Sequence, residues 1–365
     1  MPGTEYVLMN QDTPVLNFSC VRNEFDEPEF FEEQWHTDYR PIGYRGLSVF
    51  LEHRKAPKHR AHIRQLLEQY GCDDLEGFLQ VTHALSLNDT FWVRRMDSAL
   101  HWSDVSLYTN LFSEIISQAA FDGTVSETDL SSTSPEFGTD GYYAKCWVRE
   151  ASKVWLYKSG SAFYEIEPLS EYLAAQLAKK LCSTVVPYDM GYYHGKLVSK
   201  CPLFTSEMVG LAKASAVFYG AEHTIPELLK YFTGIGSGDA FRRMCVLDAI
   251  ILNPDRHYGN FGVLFDTATM KVIGMAPVFD HNRSLFPELD CDQLLKPEWY
   301  VDHCRPRLGR DFLLTARGLL TDEIRADLER LQEFTFQQHP MIYASQERLD
   351  ALSAIVRGRI RKILD

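Results

Sequence analysis

The chain has 365 residues, of which 45% are apolar and 24% charged, the composition of an ordinary folded protein rather than of a disordered, collagen-like or coiled-coil chain. That length suits two to three domains of about 100–200 residues each. The 50 acidic and 37 basic residues leave a net charge of −13, which argues against broad nucleic-acid binding and against docking on an anionic membrane, because both depend on Lys/Arg patches.

The first residues, Met1-Pro2-Gly3-Thr4-Glu5, hold neither a basic stretch nor an apolar run, so no signal peptide is expected. The most apolar run, Val246 to Leu252, is too short to span a bilayer. The 8 cysteines show no C-x-x-C spacing and read as free thiols in a reducing, cytoplasmic setting.

Residues 5–18 read as two short strands around Asn10-Gln11-Asp12. Ile63, Leu66, Leu67 and Tyr70 recur at helical spacing and predict a helix over 56–70, with Pro57 in its first turn and Gly71 ending it. A second helix is expected after Asp73 and Asp74, and a third over 107–121. Residues 1–122 are therefore expected to form a largely helical N-terminal accessory domain. Turn formers over 123–141, including Ser131-Ser132-Thr133-Ser134, mark a boundary.

Strands are predicted over 142–149 and 153–158, then a helix over 170–182 with Ser170 at its N-cap, then strands over 185–193 and 196–201 joined by His194-Gly195. After Pro202, helices are expected at 206–216, 225–232, 238–252, 321–336 and 346–364, with short strands at 262–265 and 272–276. The predicted class is α+β: a bilobal, protein-kinase-like fold with a small β-rich lobe (123–203) and a larger helical lobe (204–365), preceded by the accessory domain.

The densest chemistry lies in Asn253-Pro254-Asp255-Arg256-His257-Tyr258-Gly259-Asn260 and in Ala276-Pro277-Val278-Phe279-Asp280-His281. Phosphoryl transfer needs such a set. One carboxylate takes the acceptor hydroxyl proton, while an amide oxygen and a second carboxylate hold the magnesium ions that bridge the phosphates. The spacing from Asp255 to Asn260 matches the protein-kinase loop H-R-D-x-x-x-x-N, with the order inverted to Asp-Arg-His.

These segments resemble the N-x-D-R-H-x-x-N loop and the following metal-binding Asp of HipA-like kinases, and phosphatidylinositol kinases carry a related D-R-H-x-x-N. In motif order the likeness runs from about residue 130 to the C-terminus. It implies Asp255 as catalytic base and Asn260 and Asp280 as metal ligands. His257 would shape the loop or face the phosphates, Arg256 would add local charge, and Asp248 would anchor the loop. It also implies Lys158 as the phosphate-binding lysine, held by Glu171, with Glu165 and Glu167 as competing partners.

By the same resemblance, 138–145 would be the phosphate loop, through Gly141 and Lys145. Residues 200–203 would join the lobes, with Val198, Cys201 and Leu203 at the adenine. The 131–134 run is either an autophosphorylation site or a flexible linker.

Gly234-Ile235-Gly236-Ser237-Gly238 has no strand before it and reads as a helix connection, not a dinucleotide turn. The basic cluster around His53, His59 and His62 reads as a solvated helix face, or as a contact for an acidic partner or RNA. Walker A, G-x-S-x-G and H-E-x-x-H patterns do not occur.

The implied activity is an ATP- and Mg2+-dependent kinase acting on Ser/Thr hydroxyls of a protein, with an antitoxin or regulatory partner. A small-molecule or lipid kinase on the same fold, or a pseudokinase-like toxin–antitoxin binding module, are the alternatives. The joint presence of Lys158, Asp255, Asn260 and Asp280 favours an enzyme.

Overall fold

The computed structural model describes residues 3–55, 74–122, 134–135, 144–161, 166–220 and 223–365. The helix expected over 56–70, the residues 131–133, Gly141 and Glu165 lie outside the described residues. The chain divides into two compact units. The first comprises 1–157, 203–212 and 265–272, and the second 158–202, 213–264 and 273–365.

The first unit opens with β1 (Thr4–Asn10), β2 (Thr13–Arg22) and β3 (Pro28–Trp35), followed by α1 (Leu47–Glu52), α2 (Leu75–Thr82) and β4 (Phe91–Arg95). The strands form a four-stranded antiparallel sheet in the order β3-β2-β1-β4. Its organising element is thus a sheet, where helices were expected to dominate. The reason lies in the two outer strands. Along β3 the pattern is largely exposed and glutamate-rich, and β4 is five residues long, so neither shows a clear alternation.

In β1 both faces are covered. Tyr6 and Leu8 pack with Leu16, Phe18, Phe78 and Leu79, while Val7 and Met9 pack with Trp92, Trp102 and Leu107. A strand buried on both sides loses its period-two signature. Asp74 caps α2 by accepting from Gly77 N at 2.8 Å. Beyond β4 come α3 (Trp102–Val105) and α4 (Glu114–Asp122). The expected third helix therefore starts later than 107, because Leu107 is drawn into the apolar cluster of the sheet. β5 (Lys145–Glu150) and β6 (Lys153–Ser159) follow.

The second unit holds α5 (Glu167–Leu181), β7 (Asp189–Tyr193) and β8 (Lys196–Pro202). The order β5-β6-α5-β7-β8 is the β-β-α-β-β series expected. α5 begins earlier than predicted: Ile166 is its N-cap and Pro168 lies in the first turn, which places Ser170 and Glu171 inside the helix and buried. Val185 makes an isolated parallel bridge to Val278 and is not part of a longer strand. β7 and β8 form a hairpin in which Met190 faces Ser199 and Tyr193 faces Lys196. His194 (φ 47°) and Gly195 (φ 76°) both take the left-handed conformation that a tight hairpin turn demands.

The helix expected over 206–216 is instead β9 (Val209–Lys213) followed by the short α6 (Ala214–Val217). Within the strand Gly210 packs closely, since a side chain there would collide with the Phe265 ring and the Asn88 carbonyl. The remaining elements are α7 (Ile225–Gly234), α8 (Gly238–Ile251), β10 (Gly262–Asp266), β11 (Val272–Met275), α9 (Cys291–Leu294), α10 (Glu298–His303), α11 (Phe312–Leu319), α12 (Asp322–Arg330) and α13 (Gln346–Leu364). α12 stops at Arg330, short of the predicted 336.

Helix α8 is the core of this unit, packing against α5, α7, α11 and α13. Its residues 244–251 are all buried, and Phe241 stacks on Phe232 at 5.0 Å. This core supplies the rigid end from which the Asp255 loop departs.

Candidate active site

β6 ends by carrying Lys158 into the second unit, where its side chain is only 11% exposed. The ammonium lies 2.5 Å from Asp280 Oδ1 and 3.5 Å from Glu171 Oε1. Burial pulls the lysine pKa down, but the Asp280 and Glu171 carboxylates outweigh it and hold the group above its ordinary range. Burial pushes Glu171 up, against the pull of Lys158. The Ser199 hydroxyl donates to Glu171 Oε2 at 2.7 Å, and the His281 N–H donates to Oε1 at 3.2 Å. Of the competing glutamates, Glu167 accepts from Ser161 N at 3.1 Å, and Glu165 lies outside the described residues.

Asp280 takes a left-handed backbone, φ 60°, and its N–H donates to the Tyr188 hydroxyl oxygen at 3.1 Å. Only a few per cent of non-glycine residues hold positive φ, and such strain gathers at functional sites. The carboxylate is 28% exposed, so it reaches solvent, while Glu171, the other carboxylate on Lys158, does not.

The Asp255 loop leaves α8 through Leu252, itself at φ 51°. Asp255 N–H donates to Asn253 Oδ1, and Asn260 Nδ2 donates to Asp255 O at 3.0 Å, closing the loop on itself. His257 Nδ1 accepts the Gly259 N–H at 2.9 Å. Burial lowers the His257 pKa, against the opposing pull of the Asp255 and Asp280 carboxylates.

Arg256 does not add free charge to the site. It is 1% exposed and pairs with Asp248 through Nε (2.9 Å) and Nη2 (3.0 Å). Its Nη1 donates to Asn260 O at 2.7 Å and to Phe279 O at 2.5 Å. One buried guanidinium thus ties the Asp255–Asn260 loop to the residue before Asp280. Asp248 anchors this arrangement from α8, and also accepts from Asn253 Nδ2 at 3.2 Å.

The other predicted positions lie as follows. Val198 is buried in β8, as is Cys201, whose thiol is pushed up to about 12 by burial. Lys145 and Leu203 belong to the first unit. Lys145 is buried at the start of β5, and the Leu203 N–H already donates to Val154 O at 2.8 Å, so it is not a free donor for a base. Among the described residues, no group of three or more His, Cys, Asp or Glu side chains is arranged to hold a metal on its own.

Three contributors escaped the motif reading. Ser199, a polar residue on a buried strand position, could have been flagged from its apolar neighbours. Tyr188 acts through its hydroxyl. Arg307, far along the chain, places Nη1 3.1 Å from Asp255 Oδ1, and no motif marks it.

No family model matches the chain. The serine/threonine-protein kinase CtkA of Helicobacter pylori is 30% identical over 151 residues, covering 34% of this chain and 44% of that protein. The match therefore spans less than half of the relative's length. A solved structure of HipA from the Shewanella oneidensis MR-1 toxin–antitoxin system, in complex with HipB and operator DNA, aligns over 99% of both chains with a TM-score of 0.50 and 9% identity. At that identity the likeness concerns the fold. The crystal structure of the proinflammatory kinase CtkA of Helicobacter pylori aligns over 60% of this chain and 91% of that one, with a TM-score of 0.46 and 18% identity. The chain thus resembles HipA-like kinases in its motifs and HipA in its fold, and shares a partial sequence match with the serine/threonine-protein kinase CtkA.

Proposed function

We propose that this protein is an ATP- and Mg2+-dependent HipA-like kinase that transfers the γ-phosphoryl group to a Ser/Thr hydroxyl of a protein. The observation that carries the reading is the Asp280–Lys158–Glu171 chain of ion pairs, tied through Arg256 to the Asp255–Asn260 loop. A buried lysine steadied by a helix glutamate is what a kinase uses to orient nucleotide phosphates. Asp255, held by its own loop and partly exposed, would be the base that accepts the hydroxyl proton.

The donor chemistry fits magnesium. Mg2+ binds hard oxygens and commonly uses one or two carboxylates together with substrate phosphates, so a complete protein cage is not required. Asp280 and the Asn260 amide oxygen would hold it, and the ion would neutralise charge on the phosphates. Residues 123–203 would form the nucleotide lobe and 204–365 the acceptor lobe, with 1–122 as an accessory domain. The solved neighbour bound to HipB suggests an antitoxin or regulatory partner for this chain as well. No helix among the described residues is long and apolar enough to cross a membrane, and we place the enzyme in the cytoplasm.

The test is transfer of label from γ-labelled ATP, with magnesium, to the chain itself and to candidate proteins. Asp255→Asn should abolish transfer while leaving nucleotide binding intact. Equal labelling by wild type and Asp255→Asn, or no magnesium-dependent ATP binding by the wild type, would overturn the reading.

A further inference from the structure

Between α10 and α11 runs Cys304-Arg305-Pro306-Arg307-Leu308-Gly309-Arg310-Asp311, with three arginines and one acid, in a chain of net charge −13. Its fold presents the arginines outward: Leu308 is buried, while Arg305, Arg307 and Arg310 are exposed. Arg305 Nη1 donates to Asp302 O and Cys304 O, which holds one side of its guanidinium against the loop. Among the bordering acids, Asp311 spends its carboxylate as the N-cap of α11, accepting from Leu314 N at 2.9 Å. Glu298 and Asp302 remain as the opposing charges on the preceding helix.

The loop is placed beside the chemistry by Arg307, which lies 3.1 Å from Asp255 Oδ1 yet is 62% exposed. Most of that guanidinium therefore faces solvent next to the carboxylate assigned as base. We infer that the 305–310 loop is the acceptor-docking surface of the kinase and that it selects an acceptor segment rich in Asp or Glu around the phosphorylated residue. This rests on the kinase reading proposed above. An acidic acceptor side chain offers Arg307 the same carboxylate chemistry it now finds in Asp255, and can exchange with it, releasing Oδ1 toward the acceptor hydroxyl. Arg305 and Arg310 flank Arg307 in the sequence and are exposed, adding positive charge to the same loop.

The overall field of an acidic protein favours a basic peptide over an acidic one. A preference for an acidic peptide must then arise from a local patch, and it should fade with salt.

The experiment uses the full chain and two short fluorescein-labelled peptides, each with one serine, flanked by glutamates in one and by lysines in the other. Fluorescence anisotropy at low salt should show the glutamate peptide binding about tenfold tighter. Arg305→Gln with Arg310→Gln should bring the two to parity. Arg310→Glu alone, at an exposed position that leaves folding intact, should weaken the glutamate peptide and strengthen its lysine twin.

Equal binding by wild type, a preference for lysine, or a preference that survives these variants overturns the proposal. Label transfer from ATP to the bound glutamate peptide is scored separately. Selective binding without transfer tells against the kinase reading and leaves the binding surface standing.

Discussion

Arg256 and Asp248 form a two-point ion pair that is almost wholly withdrawn from water, with Nε to Oδ2 at 2.9 Å and Nη2 to Oδ1 at 3.0 Å. Both partners are desolvated, so either left alone is an uncompensated buried charge. Arg256→Met or Asp248→Leu should each destabilise the fold by about 3–5 kcal/mol, and the double variant should recover a large part of that loss. Urea unfolding of the four proteins checks this. Single variants with wild-type midpoints would show that the pair holds nothing. Arg256→Met should also cost phosphoryl transfer, because it releases Asn260 O and Phe279 O together.

Lys158 sits between a fully buried glutamate and a partly exposed aspartate. On the proposed kinase reading, in which Lys158 is the preorganised cation for the phosphates, Lys158→Met should reduce label transfer by at least about a hundredfold. It should also lower the melting temperature, since Glu171 is then buried without a counter-charge. Glu171→Gln added to Lys158→Met should restore stability but not activity. That split separates the structural from the catalytic part of the ion pair, and a double variant no more stable than Lys158→Met contradicts it.

Much of this site is legible in the sequence because its spacing is local. Asp255 and Asn260 share one loop, and Lys158 at a strand end precedes a helix that carries Glu171. What is not legible has a physical cause in each case. Arg256 stands between Asp255 and His257, and nothing in the sequence says that its side chain turns inward to Asp248. The Arg307 contact joins loops remote along the chain, which no periodicity reports. In the first unit, Asn10-Gln11-Asp12 marks the β1–β2 turn clearly. The sheet around it is obscured because β1 is apolar on both faces and β3 is polar on nearly all of its length.

Gly210 tests the strand that replaced a predicted helix. A Cβ at this position meets the Phe265 ring, and Phe265 is 3% exposed, with little room to move. Gly210→Ala should therefore destabilise by about 1–3 kcal/mol through overpacking. Phe265→Leu, introduced second, should relieve part of it. Chemical denaturation distinguishes this from a helix, in which alanine at an interior position would have stabilised the chain.

The pair between α8 and α12 gives a pH-dependent prediction. Arg243 Nη1 lies 2.6 Å from Asp327 Oδ2, with both side chains largely shielded. The hydrogen bond from Arg243 holds the Asp327 carboxyl below its ordinary value of 3.8. A carboxyl depressed in the folded state binds its proton more readily in the unfolded chain. Its stabilisation is present in full above pH 3.8 and is lost as pH falls through the lower, folded value. Asp327→Asn should accordingly cost about 1 kcal/mol at neutral pH. That gap should close in acid, because the wild type then also carries an uncharged group. Unfolding free energies of the two proteins measured from neutral pH into the acid limb check the sign. A gap that stays constant with pH would assign the contact to packing and remove charge from the account.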